Sequence, residues 1–179
     1  MRTFLTTRTA TRATVAALAA AGLTLSLASS ASAATATRTV TDGGATYNLS
    51  VTAPDSVTAA GQNITVTGSG FNPGQGIYVG LCVVNGAPGA NKPTPCLGGQ
   101  DQSGTTSASH WVSNLGGGTL PNTSKYGPGG SFSVRIHVKA DLGGGKICGD
   151  TVECAIVTRA DHMNAGNRKY DVHVPVNFQ

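Results

Sequence analysis

Apolar residues in this chain recur at every second position, in short runs broken by glycine, proline and asparagine. No segment beyond residue 33 holds a helical apolar period. Such a pattern restricts the chain to strands and turns. The clearest run is Gly68-Ser-Gly-Phe-Asn-Pro-Gly-Gln-Gly-Ile-Tyr-Val-Gly-Leu-Cys82. Within it Asn72-Pro73-Gly74 is a turn, because proline fixes its own φ and glycine admits positive φ. Beyond the turn, Ile77, Val79, Leu81 and Val83 take one face of a strand, and Tyr78, Gly80, Cys82 and Val84 take the other. Both faces are largely apolar, as in a central strand covered on both sides. The second face combines an aromatic ring, a gap and a sulfur, a mixture that suits a binding surface as well as a core.

Other runs share this period. Tyr47, Leu49 and Val51 alternate with polar residues, and so do Ile64 and Val66. Phe132, Val134, Ile136 and Val138 alternate with serines, Arg135 and His137, which predicts a strand with one wet face. Ala155, Val157 and Arg159 share a parity, and Tyr170, Val172, Val174, Val176 and Phe178 share another. Pro175 inside the last run predicts an edge strand. Residues 34–45 are small and polar and read as a mobile leader, so the folded domain is expected to span 46–179. Residues 97–130 form a long Ser/Thr/Gly-rich segment, either a functional loop or one hiding a short strand near 105–112. The sole tryptophan, Trp111, lies there, either as a plug over the core or as a ligand contact. Six or seven short strands with Gly/Pro turns predict an all-β fold, an antiparallel β-sandwich of the immunoglobulin type.

Residues 1–33 have the features of a secretory signal peptide. Arg2, Arg8 and Arg12 precede an apolar run over 15–27, and Ala31-Ser32-Ala33 is a small-residue cleavage site. The apolar run is too short and too rich in alanine and serine for a membrane anchor. Losing those arginines matters, since the whole chain carries twelve Lys+Arg against eight Asp+Glu. The remainder is nearly neutral, and direct nucleic-acid contact has no support from charge.

Four cysteines in an exported chain predict two disulfides. Of the three connectivities, Cys82 with Cys96 and Cys148 with Cys154 is preferred, because each pair brackets a short turn-rich segment. Closing about 15 residues is worth roughly 3 kcal/mol in the chain-entropy model. The spacings do not suit structural zinc. No nucleophile elbow, zincin helix or phosphate loop is present, so no enzymatic activity is expected. Asp161, His162 and His173 read as solvated strand-end groups rather than metal or haem ligands, and no cofactor is expected.

The corner after Gly68, the run Tyr78-Val79-Gly80-Leu81-Cys82, then Cys96, the tight pair Cys148/Cys154 and the terminal Asn177-Phe178 resemble the neocarzinostatin family. Its members are secreted actinobacterial chromoproteins that hold an enediyne in the cleft of a seven-stranded immunoglobulin-like sandwich, so the resemblance implies a seven-stranded fold here. The resemblance implies that Gly80 and Cys82 lie on the cleft-lining strand and that Cys96 closes the cleft-floor bridge. It also implies that Ala155, Val157 and Arg159 form a facing wall. DNA binding would follow from that kinship alone. The chain departs from the family at Val84 and Ala155, where aromatic and glutamine residues stand, and in the long 97–130 segment. Thr158–His162 together with Ser109-His110-Trp111 is similar to neocarzinostatin-related modules of actinobacterial surface proteins, some of which accompany haem-acquisition domains.

The expected function is that of a secreted, monomeric carrier. An apolar small molecule would lie against Tyr78, Gly80, Cys82, Val84, Trp111, Ala155, Val157 and Arg159. Arg159 ends a neutral face with a fixed cation suited to an anionic or carbonyl group. The alternative is an extracellular or surface interaction module whose contact is the 97–130 segment.

Overall fold

The computed structural model describes residues 32–99 and 104–179, so the expected signal segment lies outside the described residues apart from its last two positions. The strands are β1 (Ala33–Asp42), β2 (Ala45–Pro54), β3 (Ser56–Val57), β4 (Gln62–Ser69), β5 (Ile77–Val83), β6 (Ser109–Val112), β7 (Thr123–Ser124), β8 (Phe132–Val138), β9 (Cys154–Ala160), β10 (Val172–Pro175) and β11 (Asn177–Phe178). One sheet has the order β1-β2-β4-β8 and the other β10-β9-β5-β6-β7; β11 pairs with β3 in a small parallel clasp. No helix among the described residues is long and apolar enough to cross a membrane. The chain is an all-β sandwich, as the alternation requires.

Its core lies between the two main sheets. Leu49, Val66 and Ile136 from the first meet Val79, Leu81 and Ile156 from the second, all fully buried. Each contributes about 1.5–3 kcal/mol by leaving water. The expected parities of β5, β8 and the final run are those observed, with Phe132, Val134, Ile136 and Val138 inward and Ser133 and Arg135 exposed.

Residues 34–45 are not a mobile leader, and the folded domain includes them rather than starting at 46. Strand β1 pairs with β2 along its whole length, from Ala33↔Pro54 to Asp42↔Ala45. Thr35, Thr37 and Thr39 are polar but β-branched, which fits a pleated, half-wet surface, while Ala34 and Ala36 pack on the core. Asp42-Gly43-Gly44 is the hairpin turn, with both glycines at positive φ.

The strand count also exceeds seven. Residues 97–130 contain β6 and β7, and β6 falls inside the segment where a short strand was anticipated. The last run divides at Pro175, which ends the pairing of the edge strand β10 with β9, and the chain then crosses to β3. The disulfides are Cys82–Cys96 and Cys148–Cys154.

Candidate functional site

The site begins at the glycine corner before β5. The Asn72 carbonyl accepts from Gln75 N–H at 3.0 Å, and the Asn72 side chain accepts from Gly74 N–H at 2.9 Å, closing the turn. Gly70 has φ of 76° and passes so near the Asn48 carbonyl that a Cβ would clash. At Gly76 a Cβ would strike the Asp161 carboxylate. The missing side chain lets that carboxylate tuck under the start of β5.

Antiparallel register then carries one parity across the sheet. Tyr78 stands between Trp111 of β6 and Arg159 of β9. Gly80 stands between Ser109 and Val157, and Val157 in turn faces His173 of β10. Cys82 is paired with Ala155. The expected ligand-contact residues therefore share one outward face of the five-stranded sheet. The expectation that Ala155, Val157 and Arg159 form an opposite wall is overturned, because β9 is the hydrogen-bonded neighbour of β5. These residues make one floor.

This floor is covered. Cys82, Val84, Ala155 and Val157 form a second apolar cluster, separate from the core, with Cys96 packed on it. Cys82 and Val157 are each 1% exposed. The cover is the segment after β5, held by Thr94 N–H to Val83 O at 3.0 Å, Val83 N–H to Pro95 O at 2.9 Å and the Cys82–Cys96 bridge. A Cβ at Gly80 would meet the Ala108 carbonyl at 3.5 Å and Ser109 Cβ at 3.6 Å as its nearest neighbours, which are ordinary contacts. Tyr78, Gly80, Cys82, Cys96, Ser109 and Val157 line a cavity of about 10 Å³ there. That admits one water molecule and no aromatic ring beneath the cover over 93–99.

Polar groups gather at the N-terminal end of β5. Tyr78 Oη and His162 Nδ1 are 2.7 Å apart, and Trp111 Nε1–H donates to Asp161 Oδ2 at 2.9 Å. Asp161 Oδ1 accepts from Met163 N–H at 3.1 Å and from Gln75 Nε2 at 3.4 Å. The Trp111 and His162 rings lie 5.3 Å apart. Asp161 is thus not the solvated strand-end group expected; it is 1% exposed and saturated with donors. His162 is exposed as expected, and His173 is half-buried. Burial lowers the pKa of His173, with Arg38 adding to the effect. Among the described residues no group of three or more His, Cys, Asp or Glu is placed to hold a metal ion.

Arg159 is half-buried. Its Nη1 donates to Pro93 O at 3.2 Å, and its guanidinium lies 5.9 Å from the Tyr78 ring centre. Burial pulls its pKa down, and Arg168 nearby reinforces this. Tyr78 is pushed up by burial first and by Asp161 second. Asp171 is fully buried, and desolvation raises its carboxyl to about 6 against the pull of Arg168, Arg38 and Arg159.

Sequence reasoning missed Ser109, Asp171, Lys92 and Arg168. Ser109 and Asp171 share the parity of residues that were found, and extending each row by one strand reaches them. Ser109 Oγ is buried, has no hydrogen-bond partner among the described residues, and lines the cavity beside Gly80. Lys92 and Arg168 lie in loops, where no period signals them. No family model, curated protein or solved structure matches this chain.

Proposed function

We propose that this chain is a secreted, non-enzymatic binding protein that holds an apolar small molecule against the outer face of its five-stranded sheet, beside the Cys82–Cys96 bridge. One observation carries the reading. A sandwich needs only one dry face per sheet, yet here Cys82, Val84, Ala155 and Val157 make a second dry face outside the core. The Ser109 hydroxyl, without a partner among the described residues, gives that dry face a polar group for a ligand to satisfy. Export rests on the leader pattern and agrees with the two disulfides. The neocarzinostatin resemblance agrees in placing a small molecule beside the first disulfide, although the facing wall it implies is here part of the same floor. Uptake of the neutral fluorophore N-phenyl-1-naphthylamine tests this. Saturable binding that Gly80→Phe abolishes, with the β circular dichroism spectrum retained, is the expected result. A wild-type protein that takes up no probe refutes it.

A second reading has its own observation. Leu115 is 80% exposed and Leu120 52%, both in the segment between β6 and β7. Large apolar side chains kept in water on one segment suit an extracellular interaction module that docks through it. Leu115→Ser with Leu120→Ser would then abolish partner capture, whereas Gly80→Phe would leave it intact.

A further inference from the structure

Next to the apolar floor lies a second hollow of about 30 Å³, lined by Lys92, Arg159, Arg168, Tyr78, His162 and Asp161 among others. Tyr78 and Arg159 line both spaces, so the two adjoin. From this juxtaposition we infer that the ligand of this face is amphipathic: an apolar ring system over Gly80 and Val157, joined to an anionic group of the carboxylate, sulfonate or phosphate type held among Lys92, Arg159 and Arg168. The inference rests on the small-molecule reading above and specifies its chemistry.

The charges around the hollow support it. Lys92 is exposed, with no ion pair among the described residues. Arg159 has no carboxylate partner among them; its one hydrogen bond here goes to the Pro93 carbonyl. A half-buried guanidinium in that state favours an arriving anion, because its charge is already partly stripped of water. Arg168 spends Nη1 on Asp171 at 3.0 Å and Nη2 on the Ala165 carbonyl at 2.8 Å, which fixes its direction. Behind it, Arg38 donates to the carbonyls of Arg168 and Asp171 at 2.7 and 2.9 Å and adds a further cation.

The carboxylates offset only part of this, since Lys92 and Arg159 have none within ion-pair distance among the described residues. Asp161 lines the hollow but is occupied by the Trp111, Met163 and Gln75 donors. Asp171 is paired to Arg168, and Glu153 acts on His173, beyond Asp171 along β10. The hydrogen bond between Tyr78 and His162 sets one rim, and the cations of Lys92, Arg159 and Arg168 share the lining. An apolar ligand without charge would leave Arg159 half-desolvated and unpaired, a costly outcome that an anion removes.

Two probes that differ only by one sulfonate separate the possibilities: N-phenyl-1-naphthylamine, and 8-anilinonaphthalene-1-sulfonate. Binding is read by energy transfer from Trp111, the sole tryptophan. The sulfonate is expected to bind at least about tenfold more tightly, with the advantage falling as salt rises. The exposed-site variant Lys92→Gln, outside the apolar cavity, is expected to erode that advantage and leave the neutral probe's affinity within about twofold; Arg159→Gln, at a residue that lines both spaces, is expected to lower the ratio of the two affinities. Equal affinities, a preference for the neutral probe, or an advantage untouched by both substitutions would overturn the anionic group while leaving the apolar carrier standing. If neither probe binds, the carrier reading itself fails.

Discussion

The two sheets of this sandwich treat their outer faces in opposite ways. On the first, Thr65 pairs with Arg135 and Thr67 with Ser133, all exposed, and Thr35 and Thr52 share a hydrogen bond in water. On the second, the corresponding face is tyrosine, cysteine, valine and alanine, and it is dry beneath a loop. Stability requires only the first arrangement, since the shared core already buries an inner face of each sheet. Covering the second outer face means ordering the chain over 85–99 and closing a disulfide on it. An arrangement that stability does not demand is where function is to be sought.

Like substitutions on the two faces give the hardest test. Val157→Asp would leave an unpaired charge in a dry cluster and is expected to destabilise by more than about 3 kcal/mol. Thr65→Asp on the wet face should stay within about 0.5 kcal/mol. Urea unfolding of both measures the contrast, and equal losses would erase it. Next in size is the cover. Replacing Cys82 and Cys96 by alanine should cost about 3 kcal/mol and raise binding of water-soluble dyes to the outer face of the second sheet alone. Protection of that face unchanged in the variant, by hydrogen exchange, would show that the bridge does not hold the cover.

The third test is a pH series at the sheet's edge. Because the folded protein holds the Asp171 proton up to about 6, against 3.8 ordinarily, it binds that proton more tightly than the unfolded chain does. Its contribution is therefore present below about pH 3.8 and lost as pH rises through about 6, by at most about 3 kcal/mol. Subtracting the pH–stability curve of Asp171→Asn from that of the native chain isolates this fall. A flat difference would mean that the carboxyl titrates normally.

Much of the site was legible because parity is inherited. Once Tyr78, Gly80 and Cys82 share a face, antiparallel pairing passes that face to Trp111 and Arg159 without further information. Parity says nothing about which strands are neighbours, so the facing wall implied by the family resemblance had no check until the register made β9 the neighbour of β5. Threonine misled at 34–45, where a polar composition concealed a β-branched strand. The burial of Asp161 was invisible, since it depends on the indole N–H of a residue fifty positions away and on the bare Gly76 backbone. Lys92 and Arg168 are brought together by loop paths alone.

The hairpin that replaced the supposed leader also sets how the molecule presents itself. At one end Asp55 N–H donates to the Ser32 carbonyl and Asn177 N–H donates to the Asp55 carbonyl, so the described strand ends meet at a single residue. At the far end of β1, Asp42 binds Lys169 and Tyr170. At roughly 3.3 Å per residue those two poles are about 30 Å apart. A label, bead or cell-wall tether attached through either strand end would therefore hang from the same pole. The Trp111–His162 end would be left pointing outward, like the open end of a socket on its handle.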